Sequence, residues 1–266
     1  MSKTKKLSEL INLKDKRVLV TGAGSGIGQA MVKRFSEAGA ILYLLDINME
    51  GLKETKSLTK TPDNISLFQI DLSKKKEIDN LWGKFKKGEE PETLINNAGI
   101  YPFMSFEKVD IDFYNKVMDI NLNSVYWMCQ HFIKSRRTIG GTIINISSIE
   151  AIMPFKNDLS AYSVSKAGVA ALTRSLAREY GQLGFRVNCI LPGAIKTPGT
   201  ETLTKKAIRT LNIPLATVGY IFKKRLSLAR WGDPDEVAKI TLVLASDLSS
   251  YVQGALIPVD GGFLSS

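Results

Sequence analysis

A tyrosine and a lysine stand four residues apart at Tyr162 and Lys166, inside the stretch SAYSVSKAG. On a helix, residues i and i+4 share one face, so a phenol and an ammonium group at this spacing point into the same space. A free phenol titrates near pH 10, too high for proton exchange at neutral pH, and a neighbouring ammonium favours the phenolate and draws that value down. The pair has the makings of a general acid/base. The same spacing is also common on exposed helix faces, so its meaning depends on what else the chain brings beside it.

A second constellation lies near the start. Gly22-Ala23-Gly24-Ser25-Gly26-Ile27-Gly28 follows the β-branched run Arg17–Thr21 and precedes an amphipathic stretch, Gln29–Ala38, with Met31, Val32 and Phe35 at helical spacing. In such a strand, glycine turn and helix, Gly22 can take the tight turn, Gly26 lets the backbone approach a pyrophosphate, and Gly28 lets the helix pack near the strand. The helix N-terminus supplies free N–H groups to phosphate. Asp46 closes the next strand, 18 residues after Gly28. A carboxylate there can accept hydrogen bonds from both hydroxyls of an adenosine ribose. It would repel a 2′-phosphate, and Ile47 follows it rather than an arginine, so NAD is expected in preference to NADP.

These groups need a frame. Arg17–Thr21, Ile41–Leu45, Ile65–Ile70, Thr93–Asn96, Thr142–Ser147, Arg186–Leu191 and Ala255–Val259 read as seven strands, with helical patterns between most of them. Near-continuous apolar strands alternating with helices predict a doubly wound α/β fold, a mostly parallel seven-stranded Rossmann sheet covered on both faces, in a single domain. Residues 1–13 read as an N-terminal extension to a domain of residues 14–266. The segment from about 198 to 230 breaks the rhythm and is expected to form a substrate lid.

Composition excludes more than it names. The 266 residues carry 36 Lys+Arg against 26 Asp+Glu, a net charge of +10. The basic residues are scattered in short pieces without aromatic interleaving, which argues for a solvated basic surface or an acidic partner and against nucleic acid. The longest apolar runs are of strand length, so no membrane span is expected. The N-terminus lacks an apolar core and cleavage site, and Cys129 and Cys189 show no paired spacing; a cytoplasmic setting without disulfides is expected. No His/Cys/Asp/Glu cluster has metal-ligand spacing, and no metal is predicted. His131, Tyr126 and Trp127 sit on a helical stretch where core packing is the expected role.

The ordered set of motifs resembles the short-chain dehydrogenases/reductases from about residue 14 to 262: the glycine turn from Thr21 to Gly28, Asp71-Leu72, Asn96-Asn97-Ala98-Gly99, Asn121, Ser147-Ser148, Tyr162-x-x-x-Lys166 and Pro192-Gly193. The resemblance implies catalysis by Asn121, Ser148, Tyr162 and Lys166. Ser148 rather than Ser147 would hold the substrate oxygen. Lys166 would also bond the nicotinamide ribose, and Asn121 would support a water leading from Lys166 to solvent. The cofactor would be held by Gly22, Ser25, Gly26, Ile27, Gly28 and Asp46, with Asp71 and Leu72 at the adenine and Asn97, Ala98 and Gly99 on the adenosine side. Beyond the fifth strand, Tyr162, Lys166, Pro192, Gly193, Ile195 and Thr197 complete the set, the last two at the carboxamide. Val259-Asp260-Gly261-Gly262 looks like the family's C-terminal strand, commonly part of a tetramer interface, so a homotetramer is expected.

The substrate is open among three readings. The 192–198 run and the 149–158 loop resemble those of sugar or polyol dehydrogenases. A 3-oxoacyl-thioester (acyl-carrier-protein) reductase would suit a basic surface, but Gln182-Leu183-Gly184 lacks the arginine often found after the catalytic helix. A non-catalytic dinucleotide-binding protein is disfavoured by the complete catalytic set. The interval from Ser148 to Tyr162 is 14 residues, one more than in many members, and Glu150-Ala151 stands where a glycine often follows; both bear on the substrate, expected to be a small alcohol or ketone.

Overall fold

The computed structural model describes residues 4–200 and 224–266. Seven parallel strands lie in the order β3-β2-β1-β4-β5-β6-β7. They are β1 (Arg17–Thr21), β2 (Ile41–Asp46), β3 (Ile65–Gln69), β4 (Thr93–Asn96), β5 (Gly141–Ile146), β6 (Phe185–Pro192) and β7 (Leu256–Val259). Each expected strand is present, with ends displaced by a residue at most. The N-terminal helix α1 (Leu7–Leu10) precedes the sheet, and Leu13, at the end of the expected extension, is buried in the core.

The central strands are apolar on both faces because helices cover both. On one side, Leu19, Leu94, Ile143 and Val187 pack against α4 (Lys75–Trp82), α6 (Ser124–Ser135) and α7 (Ser160–Tyr180). On the other, Val18, Val20, Ile95, Ile144 and Ile190 pack with α2 (Gly26–Glu37), α3 (Met49–Ser57) and α8 (Pro234–Ala245). Successive residues point to opposite faces, so a strand buried on both reads as a continuous apolar run. Asn96 and Asn145 interrupt this pattern and are satisfied internally: Asn96 Nδ2 donates to Asn145 Oδ1 (2.8 Å), and Asn145 Nδ2 donates to Thr173 Oγ1 (2.9 Å). That chain ties the fourth and fifth strands to α7 directly beneath the carboxyl edge.

The sheet reverses its winding between β1 and β4, and in such sheets the crevice at the carboxyl ends of these strands receives ligands. The helix α5 (Ile111–Met118) passes through a π-helical turn, Asp119–Asn123, into α6. Residues 201–223, most of the expected lid, lie outside the described residues. Tyr126, expected in the core, is 47% exposed, because the inward stripe of α6 is taken by Val125, Met128, Cys129 and Phe132. His131 stacks on Trp82 (centroids 5.8 Å apart), with Nε2 2.8 Å from Asp79 Oδ1.

Candidate active site

The sequence-selected residues converge on the carboxyl edge of the sheet. At its β1 end the shape is made by the main chain. Gly22 has φ +64°, and a Cβ on Gly28 would come within 2.0 Å of the Gly22 carbonyl oxygen, so the first turn of α2 can pass this close only as glycine. Ser25 stands at the N-cap of α2 without a side-chain cap bond, and Gly26, Ile27 and Gly28 form the first turn. Asp46, at the end of β2, accepts hydrogen bonds from Gly24 N (2.9 Å) and Asn48 N (2.9 Å), and the neighbouring Ile47 is 64% exposed. A close-packed glycine turn at a helix N-terminus beside a strand-end carboxylate fits a dinucleotide. Its phosphates would meet the backbone of residues 22–28, and its ribose would meet Asp46.

Thr21, at the end of β1, fastens this region. Its hydroxyl accepts from Asn97 N (2.9 Å) and Ala98 N (3.0 Å), while Asn97 Nδ2 donates to the carbonyls of Thr21 (3.0 Å) and Gly22 (3.1 Å). The turns after β1 and β4 are thereby locked together. The only sequence signal was a hydroxyl closing an apolar strand. Asp71 lies after β3 with its carboxylate already engaged by the Ser73 hydroxyl (2.6 Å), the Ser73 N–H (3.1 Å) and Lys74 (3.3 Å). The Ser73 hydroxyl is the main cause of its lowered pKa. Leu72 packs against the core beside it. After β6, a Cβ on Gly193 would meet Asp260 Cα at 2.8 Å, so Pro192-Gly193 passes tightly under the segment after β7. Ile195 is buried, and Thr197 lies against Gly26 across the crevice.

The β5 end is made by side chains. Along α7, Ala161, Ser165, Val169, Ala170, Thr173 and Ala177 form the buried stripe, which leaves Tyr162 and Lys166 one turn apart on the flank facing the crevice. Lys166 is 4% exposed and donates from Nζ to the Ile146 carbonyl (2.9 Å) at the end of β5. Ser147 donates to the Lys166 carbonyl (2.7 Å), so its hydroxyl is spent on holding the helix to the strand. Ser148 accepts from Glu150 N (3.2 Å), and its hydroxyl lies close enough to the Tyr162 phenol to draw the phenol's pKa down. The geometry thus separates two adjacent serines that the sequence pattern alone left in competition.

Asn121 is fully buried in the π-helical turn. Its Oδ1 accepts from Ile100 N (2.8 Å), and its Nδ2 donates to the Ile100 carbonyl (3.0 Å) and to Ser165 Oγ (3.3 Å). Gly99 brings the loop after β4 against both Asn121 and Lys166; a Cβ there would lie 3.2 Å from Asn121 Oδ1 and 3.4 Å from Lys166 Nζ. Further residues at this end were not singled out from sequence. Tyr101 meets Tyr162 edge-on (centroids 4.7 Å apart), Phe103 meets Tyr101 likewise (4.8 Å), and the Lys156 ammonium sits over the Phe103 ring (3.9 Å). Two aromatics just after Asn-Asn-Ala-Gly were the available signal.

The electrostatics differ from the expectation for the isolated pair. Burial pushes the Tyr162 phenol up to about 12; the Ser148 hydrogen bond opposes this and the Glu150 carboxylate adds to it. Burial pulls Lys166 down to about 8. Desolvation disfavours whichever form is charged, so it moves the two groups in opposite directions. Glu150 is 2% exposed, accepts from Ser163 Oγ (2.9 Å), and burial raises its pKa.

A parallel sheet that gathers a glycine turn at a helix N-terminus and a tyrosine, serine and buried lysine on one edge fits a class: nicotinamide-dependent oxidoreductases of alcohols. Comparison with known proteins agrees. The family model described as enoyl-(acyl carrier protein) reductase matches residues 22–264. The 3-oxoacyl-(acyl-carrier-protein) reductase FabG of Chlamydia pneumoniae is 36% identical over 258 residues, 95% of this chain and 98% of that protein. The NAD-dependent glycerol dehydrogenase of Listeria innocua is 35% identical over 95% of each chain. A solved structure from Agrobacterium tumefaciens, provisionally assigned as a 2-deoxy-D-gluconate 3-dehydrogenase and holding NADP, superposes with a TM-score of 0.85 at 30% identity, over 97% of this chain and 99% of that one. The chain belongs to the short-chain dehydrogenase/reductase family and is an NAD(P)-dependent oxidoreductase of secondary alcohols. No helix among the described residues is long and apolar enough to cross a membrane.

Proposed function

We propose that this chain is an NAD-preferring dehydrogenase of a sugar or polyol, with Ser148, Tyr162, Lys166 and Asn121 as its catalytic set. The observation that carries the chemistry is the Tyr162 phenol set between Tyr101 and Ser148, with a buried lysine one turn further along the helix. A nicotinamide dinucleotide, when bound, supplies or takes up the hydride. Ser148 holds the substrate oxygen against Tyr162 Oη, and the phenol gives that oxygen its proton in reduction or removes it in oxidation. Lys166 holds the ribose and the charge balance beside the phenol, and Asn121, close to Lys166 across Gly99, supports the water through which protons reach solvent. Tyr101 covers one side of the phenol ring.

The NAD preference rests on Asp46 at the end of β2 and on exposed, uncharged Ile47 next to it. The Listeria relative is NAD-dependent whereas the Agrobacterium structure holds NADP, so the choice is argued from the carboxylate. The sugar or polyol reading draws on those same two relatives. A 3-oxoacyl-thioester reductase is the second reading, favoured by the Chlamydia relative and by the basic surface. A homotetramer is supported by β7, which ends the sheet with one edge that no strand among the described residues pairs. A cytoplasmic setting is supported by the two buried, free cysteines. The test is turnover followed by NADH or NADPH absorbance with glycerol, glucitol, gluconate and an acetoacetyl thioester. Oxidation of a polyol or sugar acid with NAD, at a kcat/KM at least tenfold above that with NADP, is expected; turnover of the thioester alone would select the second reading.

A further inference from the structure

Lys156 is the feature at this site that the proton chemistry leaves unused. It lies in the 149–159 segment between Ser148 and Tyr162, and that segment is joined to the loop after β4 by a hydrogen bond from Met104 N to the Asp158 carbonyl (2.9 Å). The two loops together bring the Lys156 ammonium over Phe103, Phe103 against Tyr101, and Tyr101 against Tyr162. The cation is therefore two rings from the phenol, along an aromatic wall that begins at the reacting centre.

What it lacks is a counter-ion. Among the described residues Lys156 makes no side-chain ion pair or hydrogen bond, and its ammonium lies over the Phe103 ring. The acids that act on it are Asp158, which is exposed, and Glu150, whose carboxylate is occupied by the Ser163 hydroxyl and, more weakly, by Phe155 N (3.5 Å). Burial lowers the Lys156 pKa, the mark of an ammonium that has given up water without gaining an anion. A half-buried cation on an aromatic face keeps some stabilisation from the ring quadrupole. Its remaining N–H donors are directed by no protein group, and an incoming carboxylate or phosphate would satisfy them with charge-assisted bonds.

We propose that Lys156 is a specificity-determining residue that pairs with an anionic group of the substrate, carboxylate or phosphate, placed several bonds from the reacting carbinol along the Tyr101–Phe103 wall. This deepens the sugar or polyol reading and rests on it: the substrate is an acid-bearing or phosphorylated polyol rather than a neutral one.

The experiment compares three probes that share a polyol chain: glucitol, gluconate and glucitol 6-phosphate, each oxidised with NAD by the wild type and by Lys156→Met, Lys156→Gln and Lys156→Arg. The wild type is expected to favour one anionic probe over glucitol, and which anion it favours identifies the source of the charge. In Lys156→Met, the ratio of kcat/KM for that anion to kcat/KM for glucitol falls by about 10- to 100-fold, mainly through KM, as expected for a lost hydrogen bond to a charged group. Lys156→Gln reports the same ratio should the methionine variant fail to fold, and Lys156→Arg keeps it within about threefold. A wild type that turns over glucitol as well as both anions, or a ratio unmoved by Lys156→Met and Lys156→Gln, overturns the proposal. If no polyol is oxidised and only thioesters are reduced, the sugar reading has failed. Lys156 is then judged on acetoacetyl-coenzyme A, which bears phosphates, against the neutral acetoacetyl N-acetylcysteamine thioester, and an unchanged ratio in Lys156→Met overturns the anion role as well.

Discussion

At the β1 end of the carboxyl edge, the contacts that shape the site involve main-chain atoms: Gly24 N–H on Asp46, the Gly22 carbonyl against Gly28, and the amides of Asn97 and Ala98 on Thr21. At the β5 end Lys166, Ser147 and Asn121 are likewise anchored to main chain, but the wall beside the phenol runs from side chain to side chain, from Tyr162 through Tyr101 and Phe103 to Lys156, with Glu150 on Ser163. Under the proposed function the first end would recognise a ligand part that is the same in every dinucleotide, and backbone close to a pyrophosphate admits little besides glycine. The second must fit one substrate, and side chains can be exchanged there without disturbing the sheet. A surface made by backbone should therefore fail as a whole when one Cβ is added. A surface made by side chains should lose one function at a time.

The largest effect is expected at the β1 end. In Gly28→Ala the new methyl would overlap the Gly22 carbonyl oxygen, and relief requires α2 to move. We expect a loss of about 3 kcal/mol, the upper part of the range for overpacking, a Tm lower by roughly 6 to 12 °C, and no detectable NADH binding by fluorescence titration. A variant that melts like the wild type and still binds NADH would break the contrast between the two ends.

Replacing Asp46 by alanine together with Ile47→Arg alters side chains within the backbone-built end. It should exchange the cofactor preference, with the NAD-to-NADP ratio of kcat/KM falling by about 10- to 100-fold and stability little changed. An unchanged ratio would show that Asp46 serves only to hold the Gly24 and Asn48 amides.

The β5 end makes a prediction in pH. Oxidation needs the phenolate and reduction the phenol. Because burial holds Tyr162 near 12, the protonated form predominates at neutral pH, so the rate of alcohol oxidation should climb by up to about tenfold per unit from pH 7, while ketone reduction stays level over the same span. The slope of the oxidation limb should change near 8, where buried Lys166 loses its charge. Oxidation that peaks below pH 7 would contradict this ordering.

Thr21→Val is the smallest of the four. It keeps the shape of the side chain but leaves the Asn97 and Ala98 amides without their acceptor, so a loss of about 1 to 3 kcal/mol is expected in urea unfolding, with cofactor affinity reduced alongside. Unaltered stability would mean that water replaces the hydroxyl.

The same contrast explains what the sequence made legible. The strands could be read because the central ones are apolar on both faces and the edge ones keep short apolar runs, and the glycine turn and Asp46 because their spacing is set by backbone geometry. Tyr162 and Lys166 were legible because a helix converts a four-residue interval into adjacency. The burial that reverses the expected direction of the phenol's shift was not, since it comes from Tyr101, 61 residues earlier in the chain. Tyr126 failed for a related reason: periodicity marks a helix but leaves its rotation to the neighbours that pack on it. Ser147 and Ser148 look alike in sequence and differ only in which way the strand turns them. Lys156 looked like one more loop lysine until a second loop placed an aromatic ring beneath it.

The central claim is that proton exchange belongs to the β5 end and cofactor binding to the β1 end. Tyr162→Phe tests it most directly because it removes one hydroxyl and keeps the ring against Tyr101. NADH affinity, measured by fluorescence titration, and turnover of the best substrate, measured by absorbance on the same preparation, should part company: affinity within about threefold of the wild type, and kcat lower by roughly 10²- to 10⁴-fold. Turnover that survives the substitution, or affinity and turnover that fall together, would contradict the account.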